Sequence, residues 1–410
     1  MQSNIIALLL ISLNFFSPYN IAGIHMPTII ATIIGLICFI QKPSTLPKGY
    51  SPYLLYMLIV PTTTSILMNL PGDIFQNIFP KSIILFSIWL LALNKKLDCN
   101  KVLQFYKYLV YAAILLFYIQ EFSYTIFHIR PTIYLSFLEN YYGVSTKEFA
   151  YSRATMDRSS SFFLEPAHFV QYIFPYFCIV LCNSLKKKKI SKELLFIGLT
   201  ITLVRSGCGY FCMAALLLYF ILIYDGFHFM TKVIISLFIV LGIYLTMTFC
   251  TNNEIVSFIM GRMDEFSLSV NESGRQSGFL RMYRGYYIYD NLDVFNKIFG
   301  VGAGTLSFLA DHFIMSGINY EGDYMNGVQS ILNKGGIIGT MLFVFVYLRK
   351  QFSVSNQTAN CIYVVMLALF FIENMLFDYK MFQYVLLAYC CTNRCESHTP
   401  PSCFSADESL

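Results

Sequence analysis

The stretch RSSSFFLEPAHFVQY, residues 158 to 172, sets Arg158, Glu165 and His168 at the head of an apolar run. Ionisable groups at such a boundary are costly and therefore usually functional. Pro166 suits the first turn of a helix, where its missing N–H is no loss, and Glu165 sits where the positive helix end stabilises a carboxylate. His168, three residues on, lies on roughly the same face. Arg158 could then hold an anion while Glu165 or His168 takes a proton. The plainer reading is a capped helix entrance with a local Glu165–His168 contact. In TLVRSGCGYF, residues 202 to 211, Arg205 stands at a tight turn between two apolar runs, with glycines that let backbone or ligand come close. An arginine snorkelling from a helix end gives the same pattern. GRQSGFLRMYRGYYIYDN, residues 274 to 291, carries Arg275 and places Arg281 and Arg284 three apart on one helical face, with Tyr287 able to join them. Such a face suits a phosphate and sugar ligand, although an amphipathic helix on anionic lipid resembles it.

Two further stretches shape the chain. FGVGAGTLSF, residues 299 to 308, lacks the strand, helix and spacing of a dinucleotide fingerprint, so a tight turn leading back to the membrane is expected. NGVQSILNKGGIIG, from Asn326, opens an apolar run with small residues that permit close helix packing.

The elements that must carry these residues follow from composition. With 56% hydrophobic and 12% charged residues among 410, and a mean hydropathy of +0.59, the chain is too apolar for a soluble globular protein. An all-α polytopic integral membrane protein is expected. The run Ile5 to Phe16 lacks a preceding basic region and a small-residue cleavage site, so it reads as a retained anchor. Apolar windows give about twelve transmembrane helices: 4–22, 25–41, 52–70, 79–94, 106–128, 162–184, 190–205, 207–224, 232–250, 326–348, 358–377 and 379–392. They form one membrane domain over 1–410, with a tail at 393–410 and outer loops at 129–161 and 251–325. The 12 cysteines are scattered through apolar runs, and Cys390, Cys391 and Cys395 lack a paired CxxC or a two-histidine set, so no structural metal and no cofactor are expected. No internal repeat is visible, which weakens an inverted-repeat transporter.

Charge placement orients the chain. If every span is real, 13 of 18 lysines fall on one side, which the positive-inside rule makes the cytoplasm and which holds both termini. The net charge of +5 follows from this placement and gives no sign of nucleic-acid binding. Eight of ten arginines, Arg130, Arg153, Arg158, Arg205, Arg262, Arg275, Arg281 and Arg284, face the other way. The guanidinium fork binds phosphate or carboxylate bidentately and stays charged in a partly dry site. Salt bridges to the outer acids Asp157, Asp264, Glu265 and Glu272 explain single arginines without explaining why lysine is avoided.

Taken in order, RSSSFFLEPAHF, RSGCGYF, SGR (Ser273 to Arg275), FGVGAG and NGVQSILNKGGIIG resemble the O-antigen and capsular polysaccharide polymerases, the Wzy type, of the O-antigen ligase-like superfamily. The resemblance spans about residues 153 to 345. It implies an enzyme of the bacterial cytoplasmic (inner) membrane, similar in architecture to the membrane-embedded type C glycosyltransferases. Such an enzyme joins undecaprenyl diphosphate-linked oligosaccharide repeat units at the outer face without a metal. It also implies membrane lipid and a chain-length-regulating co-polymerase as partners. Under this expectation Glu165 is the first choice of base, with Arg158 and Arg205 beside it in catalysis. Arg153, His168, Arg275, Arg281, Arg284 and Asn326 then bind diphosphate or glycan. Ligases of the superfamily tend to carry a histidine before the residue matching Asn326; Met325 stands there, His312 cannot be aligned to it, and this favours a polymerase. A ligase moving glycan to another acceptor is the alternative within the enzyme class. A flippase or exporter should instead bury charges along mid-helix faces, where Glu121 and Glu373 are the main acids, and a scaffold should tolerate loss of Arg205 and Arg281 together.

Overall fold

A computed structural model of the chain describes residues 2–21, 24–41, 50–67, 78–92, 97–132, 134, 139–140, 158–224, 226, 228–234, 236–237, 283–302, 325–345 and 356–396. Most of the expected span 232–250, most of both outer loops, the tail from 397 on, and Arg153, Arg275 and Arg281 lie outside the described residues.

Within them the chain is mostly helical. The helices are α1 (Gln2–Ser12), α2 (Met26–Gln41), α3 (Ser51–Leu67), α4 (Ile78–Ala92), α5 (Cys99–Phe127), α6 (Pro166–Lys186) and α7 (Lys192–Leu203). They continue with α8 (Gly207–Leu222), α9 (Gly285–Asn291), α10 (Val294–Phe299), α11 (Gly327–Phe343), α12 (Gln357–Phe370) and α13 (Tyr379–Glu396). Some starts are set by side chains that accept from orphan N–H groups: Asp98 from Lys101 N at 3.2 Å before α5, and Ser191 from Leu194 N at 3.1 Å before α7. Among the described residues, α5 and α6 are long and apolar enough to cross a membrane.

Helices α6, α12 and α13 form the centre and are buried on nearly all sides. Helix α8 packs on α6 and α12, α5 on α13 and α1, and α2 on α4. Helix α5 is apolar inside and out. Val110, Ala113 and Phe117 face the core, while Tyr108, Leu115, Ile119, Phe122 and Ile126 make an outward stripe on which Leu115 is 63% and Phe122 69% exposed. Water disfavours such a stripe, whereas acyl chains do not.

Two features depart from the sequence expectation. First, β1 (Tyr19–Ile21), β2 (Ile24–His25) and β3 (Glu139–Asn140) pair as a small antiparallel sheet of order β2-β1-β3, so the run expected as span 4–22 leaves helix after Phe16. Second, the expected span 326–348 is broken. A straight 17-residue helix is about 26 Å long, yet the Phe343 ring lies 5.4 Å from that of Phe370, which also covers Gly327 at the helix start. The reversal is at Gly336 (φ 63°, ψ −167°), a conformation open essentially to glycine alone. Against it lies Gly300 (φ 85°, ψ 163°), in the same region. Val301 N donates to Asn333 O at 2.9 Å and Gly302 N to Lys334 O at 3.1 Å. The described part of this stretch, Phe299 to Gly302, therefore docks on the break in α11.

Candidate functional site

One end of the bundle gathers the head of α6, the α7–α8 turn, the α12–α13 turn, the start of α11 and the strand before α2. The opposite end, where α5 begins, α6 ends and α7 begins, carries Lys101, Lys107, Lys186 to Lys189 and Lys192. There Tyr111 and Tyr176 each donate to Glu193 at 2.5 Å.

The segment leading into α6 is held from below. Gln120 of α5 accepts from Ser161 N at 2.8 Å and donates to Ser161 O at 3.1 Å, while Ser161 Oγ donates to Ala113 O at 2.7 Å. Phe163 stacks on Phe169 at 5.9 Å, and Phe15 meets Phe162 and Tyr172. Ser161 takes a left-handed φ of 56°, Arg205 of 52° and Phe377 of 58°. Each is a backbone conformation that costs about 1–3 kcal/mol and persists where the surroundings impose it.

Several expected site residues meet here. Arg158 Nη1 donates to the carbonyl of Arg205 at 3.0 Å, which joins the first two motifs. Glu165 occupies the position before α6, but its carboxylate does not cap the helix. The ion-pair partner of His168 is Glu373 and not Glu165: its Nε2 lies 3.7 Å from Glu373 Oε1. The same carboxylate accepts from Lys380 through Oε1 and from Gln171 through Oε2. Glu373 thus lies in the turn after α12, which ends at Phe370, and not within the span expected to reach 377. Burial alone would raise its carboxyl, but Lys380 and His168 outweigh burial and hold it well below the usual range. Burial pushes Asp378 in the same turn up to about 6, against the pull of Lys380. His25, whose ring is 6.2 Å from that of Tyr379, is lowered to about 4 by burial, with Lys380 and His168 adding to the effect.

Other expected residues have structural duties. Asn326 caps α11, accepting from Gln329 N at 2.9 Å while Gln329 returns a bond to Asn326 N at 3.3 Å. Its Nδ2 donates to Phe371 O at 3.1 Å, and Gly327 N to Glu373 O at 3.0 Å, so the start of α11 fixes the α12–α13 turn. Asn326→Ala removes a cap and leaves the Phe371 carbonyl unpaired. It is expected to lower stability by about 2–3 kcal/mol, read as earlier thermal unfolding in detergent. Arg284 and Tyr287 do not share a face. The regular helix starts at Gly285 after a wider turn, leaving Arg284 1% and Tyr287 45% exposed. Arg130 packs over the Tyr124 ring at 3.5 Å, donates to Ser159 Oγ at 2.9 Å and lies 3.7 Å from Glu121. Arg130 is thus in an ion pair, and the acid is Glu121, which is not among the outer acids expected for that role.

The ENMLFDYK stretch, residues 373 to 380, is the part of this cluster that the motif reading passed over. Three charges in eight residues between two apolar runs were the available signal. No protein-family model, no curated protein and no solved structure matches the chain. What the fold and site define is a strongly apolar, mostly helical protein with an ionic cluster at one end of its bundle.

Proposed function

We propose that this chain is a glycosyltransferase that joins lipid diphosphate-linked oligosaccharide repeat units into O-antigen or capsular polysaccharide. In this reading it is a type C-like enzyme of about twelve spans in the bacterial inner membrane, with both termini cytoplasmic and the Arg158 end of the bundle outside. The observation that carries the reading is the approach of Arg158 to Arg205 at the end of the bundle that also holds Glu165 and His168, opposite the end carrying Lys101, Lys107, Lys186 to Lys189 and Lys192. The outward apolar stripe of α5 supports contact with lipid.

The reaction needs the hydroxyl of one repeat to attack the anomeric carbon of another as the lipid diphosphate leaves. Because the leaving group is already a diphosphate, the protein supplies orientation and positive charge more than strong acid. Arg158 and Arg205 fit that role, and a single displacement inverts the anomeric centre. A ligase differs only in its acceptor. A flippase is less well supported, because Glu121 is engaged by Arg130 and Glu373 lies in an interhelical turn.

Arg205→Gly is the sharpest variant. Glycine suits φ 52° and keeps the carbonyl that Arg158 binds, so only the guanidinium is lost. In cells lacking the endogenous protein, Arg205→Gly and Arg158→Ala are expected to lengthen glycan about thirty- to a thousandfold more slowly than wild type at equal membrane levels. The surface glycan should then be a single repeat. Ladders matching wild type would return these arginines to structural roles.

A further inference from the structure

We propose that the turn between α6 and α7 is a docking site for anionic phospholipid, with its lysines on the phosphate and the outward face of α7 along the acyl chains. The inference needs only that the chain lies in a membrane, and it stands whatever reaction the opposite end performs. Lys186, Lys187, Lys188, Lys189 and Lys192 put five exposed cations into seven residues. Among the described residues, none of the five has an acid within ion-pair distance. The adjacent acid, Glu193, is already occupied: Tyr111 and Tyr176 both donate to its Oε1 at 2.5 Å, and Lys107 stands 3.8 Å away. The positive charge of the turn is therefore left for a partner from outside.

The backbone at Lys188 points the same way. Helix α6 closes in a Schellman motif: Lys189 N donates to Ser184 O at 3.1 Å and Lys188 N to Leu185 O at 3.0 Å. That motif needs a left-handed residue, and Lys188 takes the position with φ 51°. Glycine fills it without strain, whereas the Cβ of a lysine crowds the following carbonyl. The fold thus bears a strained residue and keeps a cation within the turn. The helix dipole does not explain this, because its benefit lies in the last turn, where Lys186 already stands. The turn is also braced, since Ser184 and Ser191 share a hydrogen bond of 3.0 Å across it, so binding has little left to order. Lys192 heads a helical face that continues through Leu195, Phe196 and Leu199, all exposed. Tyr118 of α5 stacks on Phe196 at 5.6 Å and joins that face to the outward apolar stripe of α5. Cations at the end of an apolar surface match a phosphate headgroup and its acyl chains, as in the basic pockets beside spanning helices that take anionic lipids. An acidic protein segment would match the lysines and leave the apolar face unused.

The test uses purified full-length protein in neutral detergent, with a fluorescent phosphatidylglycerol as the probe. Unlabelled phosphatidylglycerol is expected to displace the probe at concentrations about tenfold or more below those of phosphatidylcholine, and inorganic phosphate should not displace it. Lys188→Gly relieves the left-handed strain and removes one cation. It is expected to unfold at the same or a higher temperature than wild type, yet to bind phosphatidylglycerol about fivefold more weakly. Lys186→Gln, Lys187→Gln, Lys188→Gln and Lys189→Gln together should weaken binding by about a hundredfold or more. Lys188→Gly that binds the lipid as tightly as wild type, or that unfolds earlier, overturns the proposal. So does phosphatidylcholine that competes as well as phosphatidylglycerol, which would mean contact with lipid without selection for charge. Inorganic phosphate that displaces the probe at the concentrations at which the lipid does would make this a site for free anions and overturn it too.

Discussion

Glu373→Gln made alone is expected to destabilise the protein by about 3–5 kcal/mol, among the largest effects of any single side chain here. Lys380 is 8% exposed and bonds the Glu373 carboxylate, which also takes the Gln171 bond. Taking away one partner of such a pair leaves a buried charge without compensation, and that desolvation penalty dominates. Lys380→Met alone should cost less, because Glu373 keeps Gln171 and has His168 close by. Glu373→Gln with Lys380→Met should recover most of the loss, since a neutral pair needs no counter-ion. Thermal unfolding of the three variants in detergent reads this ordering. Equal losses in the double and the Gln variant would mean that the pair is not what holds the α12–α13 turn.

Gly336→Ala is the second. A Cβ at Gly336 would press into the backbone of Ile298 and Gly300, and one at Gly300 into that of Lys334 and Gly335. Neither neighbour is a flexible side chain that could step aside. The backbone region alone costs a non-glycine residue about 1–3 kcal/mol, to which the clash adds. Gly336→Ala and Gly300→Ala are each expected to lose about 3 kcal/mol or more, with less folded protein in the membrane. Because both disrupt one contact, the double variant should lose less than the sum. Fully additive losses would show that the two glycines act independently.

The bulk of the helical plan was legible because hydropathy reports what a helix buries or turns to lipid. Expected spans 52–70, 79–94, 190–205 and 207–224 agree within a few residues with α3, α4, α7 and α8. The break at Gly336 was not, since a Gly-Gly pair in an apolar run equally suits close packing of a continuous helix. The site was half legible. Arg158, Arg205 and His168 were found from their placement at apolar boundaries, but the partner of His168 lies 205 residues along the chain, at Glu373, and local spacing cannot report such a contact. Glutamines inside apolar runs were the signal left unread: Gln120 clamps Ser161, Gln171 holds Glu373, and Gln383 accepts from Asn14. Each is a polar group that the fold must pair, so each marks a tertiary contact. Asn326 is a glycan-binding candidate through the family resemblance alone, which carries no geometry and so does not report its capping box with Gln329.

The most direct measurement of the central claim is chain lengthening by the purified protein in detergent, where no membrane sides exist. Supplied with lipid-linked repeats extracted from cells lacking the protein, it is expected to convert single repeats into a ladder of longer glycans and to release lipid diphosphate as each bond forms. Repeats that stay unlengthened in detergent, while the same protein in sealed vesicles carries them across the bilayer, would contradict the polymerase account and establish an exporter.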